Sequence, residues 1–491
     1  ATGNRWLMTD VLRDQWGFDG FVVTDYTGIW EMIAHGVGDF ESVSVQALKA
    51  GIDMDMVSEG FVGNVKNALD KGLVSMKDID LACRRILEAK YRLGLFDDPY
   101  KFCRAEEAAK EVYCQEHRDI ARKIASESFV PLKKKGTICL IGPLADTKSN
   151  MPGTWSVAAR FDVPKTIREG LTEAVAGKAK VLYAKGSNLV SDYDLEMRST
   201  MFGRELGRDN RTDEQLLREA LAVARRSDVI VAALGEASEM SGESSCRTEI
   251  SIPDVQQKLL KALVATGKPL VLVLFNGRPL TLNWEAENVP AILDVWFGGS
   301  ETADAVADVL FGDVNPSGKL TMSFPKNVGQ VPLYYASKNT GRPLLEGRWF
   351  EKFRSNYLDV DNEPLYPFGY GLSYTSFEYS PVTLNATEVA QGGSVKAEVT
   401  VKNTGKVAGK EVVQMYLQDV VGSTTRPVRE LKGFEKISLE PGESKTVTFE
   451  ITPELMSHYN SELKLVAEPG EFVVYVGTDS RTKNSASFIL K

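Results

Sequence analysis

The hydrophobic period of this chain changes once, near residue 381, and no single layer of secondary structure can accommodate both halves of the pattern. Between residues 137 and 325 the runs "TICLIG", "KVLYA", "DVIVAALG", "PLVLVLFNG" and "AILDVWF" are almost continuously apolar. Amphipathic stretches around Leu216–Arg225, Val255–Ala265 and Ala303–Leu310 lie between them. Strands without polar alternation are buried on both faces, so this region is expected to be an α/β sandwich with a mainly parallel sheet. From residue 381 to 491 the apolar positions alternate instead: Val395, Ala397, Val399 and Val401; Val413, Met415 and Leu417; Val447, Phe449 and Ile451; Phe472, Val474 and Val476. Turn signals "NTGK", "EPGES" and "EPGE" separate them, which predicts a β-sandwich of immunoglobulin or fibronectin type III-like form. Residues 326–380 are rich in Gly, Pro and Tyr and read as a packed linker, too aromatic for disorder.

Residues 1–125 show a third pattern, alternating helix and strand. A helix around Trp6–Asp14 leads into a short apolar strand, Phe21–Thr24, bounded by Gly20 and Gly28. A helix follows with Val43, Ala47 and Leu48 on one face, then a strand candidate "AGIDMDM" at 50–56. A longer helix opens with Ser75 and Asp78, a capping-box variant, and closes at Gly94. Its spacing places Ile79, Ala82, Cys83, Ile86 and Leu87 together, so Cys83 is expected to be a buried thiol, as is Cys139 in the strand "TICLIG". A linker at 126–136 separates this region from the next.

Charge and cysteine content exclude several function classes. The chain has 491 residues, with 58 basic against 67 acidic side chains, a net charge of −9, and no basic run long enough to track phosphates. Nucleic-acid binding is therefore not expected. No stretch of about 18 apolar residues exists to span a membrane, and the first residues carry no signal-peptide pattern. The five cysteines form no C-x-x-C pair and the three histidines are scattered, so neither a metal site nor a dense disulfide framework is expected.

Two places invite chemistry. Asp25 and Tyr26 follow the Phe21–Thr24 strand, at the sheet end where α/β folds build their sites. Asp25 could serve there as a nucleophile, a base, a ligand or a cap for the next helix. The second place is the acidic loop "GEASEMSGESSCRTEISIP" at 235–253, which follows the strand "DVIVAAL" and holds Glu236, Glu239, Glu243, Glu249 and Arg247. Pro253 is suited to the first position of the helix that follows. A loop of this length at a strand end is functional or simply a solvated acidic segment. One carboxylate from each region would suit glycoside hydrolysis, which needs an ionised carboxylate and a protonated carboxyl in different environments.

These two stretches, with "LRDQWGFDGFVVTDY", "ALKAGIDMDM", "YRLGLFDDPY", "GKPLVLVLFNGRPL", "VLFGDVNPSGKLTMSFP", "YPFGYGLSYTSF" and "RPVRELKGFEK", make the chain resemble glycoside hydrolase family 3 over essentially its whole length, most closely the periplasmic β-glucosidases of Gram-negative bacteria. The resemblance implies a retaining exo-β-glucosidase with a (β/α)8 barrel, an α/β sandwich and a fibronectin-like domain. It is expected to be periplasmic, to act on a β-glucoside or oligosaccharide and to use no cofactor, and a homodimer is compatible with it. By the same resemblance Asp25 is the nucleophile. Glu243 of "SGESS" is the acid/base, with Glu236 the second choice. Tyr26 helps form the aglycone site, Trp155 of "MPGTWS" stacks on sugar or sits in the core, and Arg247 orients Glu243, contacts sugar or makes a structural ion pair. A complete barrel takes roughly 250 residues and eight strands. Residues 1–125 offer only two, matching the seventh and eighth, so the first six βα units are expected to be absent here. Two alternatives stay open: a β-xylosidase of the same family, and a catalytically incomplete portion that only binds carbohydrate or acts as a scaffold.

Overall fold

In the computed structural model, residues 1–127, 137–156, 158–200, 206–344 and 347–491 are described. Most of the 126–136 linker lies outside them. The chain divides into two compact units, Ala1–Cys114 and Gln115–Lys491.

The first unit is mostly helical. Trp6–Gln15 is a π-helix, and α-helices follow at Phe40–Ala50, Gly60–Asp70, Met76–Arg92 and Ala105–Glu111. Asp39 caps the Phe40 helix by accepting from Ser42 N. Ser75 and Asp78 form the expected capping box, and Gly94 takes the left-handed conformation just past the helix. Two small cores hold the unit: Ile29, Met32, Val43, Ala47 and Ile52, and then Leu48, Ala68, Val74 and Ala82.

Two expectations for this unit need correction. The strands at 21–24 and 50–56 reduce to one parallel bridge, Val23 to Met54. The reason is local: the Val22 carbonyl accepts from both Asp53 N and Met54 N, at 2.9 and 3.1 Å, so no regular ladder propagates. Cys83 is exposed rather than buried, because the Met76–Arg92 helix fully buries only Ala82.

The second unit contains the α/β sandwich in the expected form. Its strands are β1 (Thr137–Ile141), β2 (Lys180–Ala184), β3 (Val229–Gly235), β4 (Leu270–Phe275) and β5 (Ala291–Asp294). All pair in parallel, in the order β2-β1-β3-β4-β5. The pleat sends alternate side chains to opposite faces, and both faces are covered. Leu140, Val231, Ala233, Val271 and Val273 pack under helices Ile167–Ala174 and Thr302–Leu310. Ile141, Ile230, Ala232, Leu234, Leu272 and Leu274 pack under helices Asp213–Arg225 and Asp254–Val264. The Gln115–Ser126 helix packs with this unit. Arg118 pairs with Glu301 at 2.9 Å, and Arg122 grips Asp308 with two bonds of 2.6 Å. Cys139 is fully buried on β1, and burial pushes its thiol up to about 11.

The linker packs through aromatic pairs, with Tyr335 stacked on Phe368 and Tyr366 on Tyr370. The last residues form two facing sheets. One runs Glu430–Leu439, Gly409–Asp419, Gly470–Gly477, Ser485–Leu490, Glu388–Val389, and the other Ser444–Ile451, Val395–Asn403, Phe377–Tyr379. The alternating residues named above line the core between them, with Phe449 packed at its margin. Among the described residues no helix is long and apolar enough to cross a membrane.

Candidate active site

The two groups of candidate residues lie on different units, and each has its own geometry. In the first unit, the chain runs from the Val23–Met54 bridge into a buried Thr24, whose Oγ1 accepts from Met56 N at 2.8 Å. Asp25 is the next residue and its side chain reaches solvent. Its Oδ1 accepts from Tyr26 N at 2.7 Å, and Gly28 N donates to its carbonyl at 3.0 Å, closing a turn. Thr27 takes φ 55° in that turn. The next helix begins at Trp30 behind Ile29 with no side-chain cap, so Asp25 does not cap it. Tyr26 is exposed beside it.

The turn is held by a carboxylate that the sequence did not single out. Asp53 is buried and accepts from Arg13 Nη2 at 2.6 Å, Arg85 Nη1 at 2.9 Å and Val22 N at 2.8 Å. It ties the extended segment before Asp25 to two helices. Its spacing in "GIDMDM" gave no hint of this, because both arginines come from remote helices.

In the second unit, the strand order sets the location. β1 and β3 are neighbours, but the chain leaves β1 for β2 on one side and β3 for β4 on the other. Loops at such a reversal diverge and leave a crevice at the carboxyl ends of the strands. The loops leaving β1 and β3 carry Trp155 and Glu243 respectively. Gly142 and Gly235 end these strands at φ 139° and 130°, where a Cβ would come within 2.0 Å of Ala233 O and 1.9 Å of Phe275 O. Only glycine lets the chain leave the sheet that closely.

The acidic loop is pinned, which argues against a merely solvated segment. Ser238 N donates to Asn150 Oδ1 of the β1 loop at 2.7 Å. Glu236 is completely buried; its Oε1 lies 2.7 Å from Arg247 Nη1 and 3.2 Å from Arg278 Nε. Arg247 therefore makes a structural ion pair with Glu236. Glu243 is exposed, and among the described residues its carboxylate has no hydrogen-bond or ionic partner. Ser244, next to it, turns the chain at φ 58°. Trp155 is 72% exposed at φ 60°, so it is not a core tryptophan. A Cβ on Gly242 would come within 3.3 Å of Thr154 Oγ1, so the Trp155 and Glu243 loops touch. Pro253 sits one position before the helix, which starts at Asp254.

Arg278 and Asn150 went unnoticed in the sequence. The available signal for both was position: each lies in a loop leaving the carboxyl end of a parallel strand.

Comparison with known proteins adds to this geometry. Residues 1–89 match the glycosyl hydrolase family 3 N terminal domain, residues 126–374 the glycosyl hydrolase family 3 C-terminal domain, and residues 411–480 the fibronectin type III-like domain. The chain is 46% identical to a periplasmic beta-glucosidase of Salmonella typhimurium, covering 100% of this chain and 66% of that protein. It is 38% identical to a beta-xylosidase of Formosa agariphila, covering 97% and 65%. A crystal structure of beta-glucosidase from Listeria innocua in complex with isofagomine superposes with a TM-score of 0.88 at 39% identity, over 100% of this chain and 66% of that one. The chain thus spans just under two thirds of the length of these relatives.

Proposed function

Since the chain belongs to glycosyl hydrolase family 3, we propose that it forms part of a retaining exo-β-glucosidase that removes terminal non-reducing β-D-glucosyl residues. The observation that carries this reading is the contrast between two glutamates of one loop. Glu236 is completely buried and held by Arg247 and Arg278, so its carboxylate serves to anchor the loop. Glu243 is exposed on the loop that leaves β3, the placement a group needs to give a proton to a bound substrate.

Asp25 is the nucleophile of this scheme. Its carboxylate oxygen bonds to the anomeric carbon as the glycosidic C–O bond breaks, and the leaving oxygen keeps the electron pair and takes the Glu243 proton. Glu243, now ionised, removes a proton from water. The water oxygen then bonds to the anomeric carbon, Asp25 leaves, and glucose departs with its configuration retained. Tyr26 borders the aglycone, and Trp155 offers a ring face to sugar. Arg247 contributes through Glu236.

The Salmonella relative's name supports glucose as the sugar and the periplasm as the location; the Formosa relative favours xylose as the second reading. A homodimer is compatible with this reading, and sedimentation would read its mass.

The test uses the full-length gene product. A 2-fluoro glucoside should label Asp25, and Glu243→Ala should lose most activity on poor leaving groups and regain part of it with azide. Nitrophenyl glucoside turned over faster than nitrophenyl xyloside supports the glucosidase reading, and the reverse order selects the xylosidase. Label on a residue other than Asp25 would overturn the nucleophile assignment.

A further inference from the structure

The turn that carries Glu243 is fastened at both ends by one side chain. Arg278 Nη2 donates to the carbonyls of Met240 and of Ser245, the latter at 2.7 Å, so residues 241–244 span two anchored points. Arg278 Nε faces the buried Glu236 at 3.2 Å. Arg247 pairs with the same carboxylate and donates from Nη2 to Ser251 O at 2.9 Å, fixing the descending limb of the loop. Below the turn, Ser241 rests on Gly277, where an added Cβ would lie 1.9 Å from Ser241 Oγ. A single buried carboxylate thus fixes two planar forks; one holds two backbone carbonyls of the loop and the other holds one.

We propose that Arg278, oriented by Glu236, is a positioning residue that sets where the Glu243 carboxyl stands relative to the leaving-group oxygen. This deepens the acid/base reading of Glu243 and rests on it. In this role Arg278 acts through the backbone of the loop, by its bonds to the Met240 and Ser245 carbonyls. Protonating the leaving oxygen depends on hydrogen-bond geometry in the transition state, so a turn displaced by a fraction of an ångström loses acid assistance before it loses sugar binding. Gly277 is the second part of the seat, since any side chain there lifts Ser241 and the turn with it.

The test compares leaving groups. Arg278→Lys keeps the charge beside Glu236 but cannot grip both carbonyls. It should lower kcat/KM about tenfold or more on an alkyl glucoside and less than about threefold on 2,4-dinitrophenyl glucoside, whose departure needs no proton. Gly277→Ala leaves every buried charge in place and should show the same split; adding Ser241→Gly should restore the alkyl glucoside rate. Hydrogen exchange over residues 238–250 should rise in both single variants and fall back in the double variant. Equal losses on both substrates, or no loss, would overturn the proposal. Glu243→Ala measured in parallel separates the two readings. Without a leaving-group dependence and azide rescue in that variant, the acid/base reading fails. With them, a flat response in Arg278→Lys and Gly277→Ala sinks the positioning role alone.

Discussion

Arg13 Nη2 lies 2.6 Å from Asp53 Oδ2, and the Asp53 side chain is 1% exposed. Arg85 approaches the other oxygen at 2.9 Å, so one buried carboxylate bridges two guanidinium groups in the first unit. The same backbone places Asp25 beyond the bridge in solvent. Two aspartates a short way apart in sequence and close in chemistry thus have opposite jobs.

Asp53→Asn is expected to destabilise the first unit. It leaves two partly buried cations facing a neutral amide, a loss of about 3–5 kcal/mol where a buried pair is broken. Asp25→Asn should leave stability within about 0.5 kcal/mol, because its side chain accepts one bond from the adjacent amide and is otherwise solvated. Urea denaturation of both variants checks this. Equal destabilisation would mean that Asp25 carries structure not seen in its contacts.

Glu236→Gln should behave as a core lesion and not as the loss of a proton donor. The change strands Arg247 and Arg278 with no buried anion, costing about 3–5 kcal/mol. Thermal unfolding should therefore shift down by several degrees, whereas Glu243→Gln should not move it. A stable Glu236→Gln protein that lost activity mainly on poor leaving groups would reverse the assignment of the two glutamates.

The legibility of these roles in the sequence follows physical lines. The five parallel strands were readable because burial on both faces demands unbroken apolar runs. Their order was not, because β1 and β3 become neighbours through crossovers that no local pattern encodes. The strand at Phe21–Thr24 was over-read, since the Val22 carbonyl takes two amides and halts the ladder. Cys83 was misplaced because helical spacing marks a face without saying how deeply it is covered. Glu236 and Glu243 both stood out as acids after a strand. What distinguishes them is Arg278, which arrives from the end of another strand.

Trp155 combines exposure with φ 60°, a conformation that costs a bulky side chain on the order of 1 kcal/mol or more. Trp155→Gly should therefore keep or raise the melting temperature. If the ring stacks on sugar, worth about 0.5–1.5 kcal/mol, KM should rise about 2- to 10-fold with kcat little changed. Unchanged KM across glucosides and glucose-mimicking inhibitors would remove Trp155 from the binding surface.

Asp294 ends β5 with Oδ1 accepting from Trp296 N at 3.1 Å, and its carboxyl is enclosed beside the Asn276 side chain. Burial pushes this carboxyl up to about 7, from an ordinary value of 3.8. The folded state therefore holds a proton between about pH 4 and 7 that the unfolded chain has released. Its contribution to stability is greatest below about pH 4, falls as pH rises through that window, and levels off above about 7. Asp294→Asn cannot ionise and keeps a neutral group of the same shape. The difference in unfolding free energy, variant minus wild type, should climb between pH 4 and 7 by a few kcal/mol, with a slope of roughly 1.4 kcal/mol for each step of one in pH. Other carboxylates titrate equally in both proteins and cancel in that difference. Parallel stability curves across pH 4–8 would show that Asp294 is ionised in the folded protein and that water reaches its carboxyl.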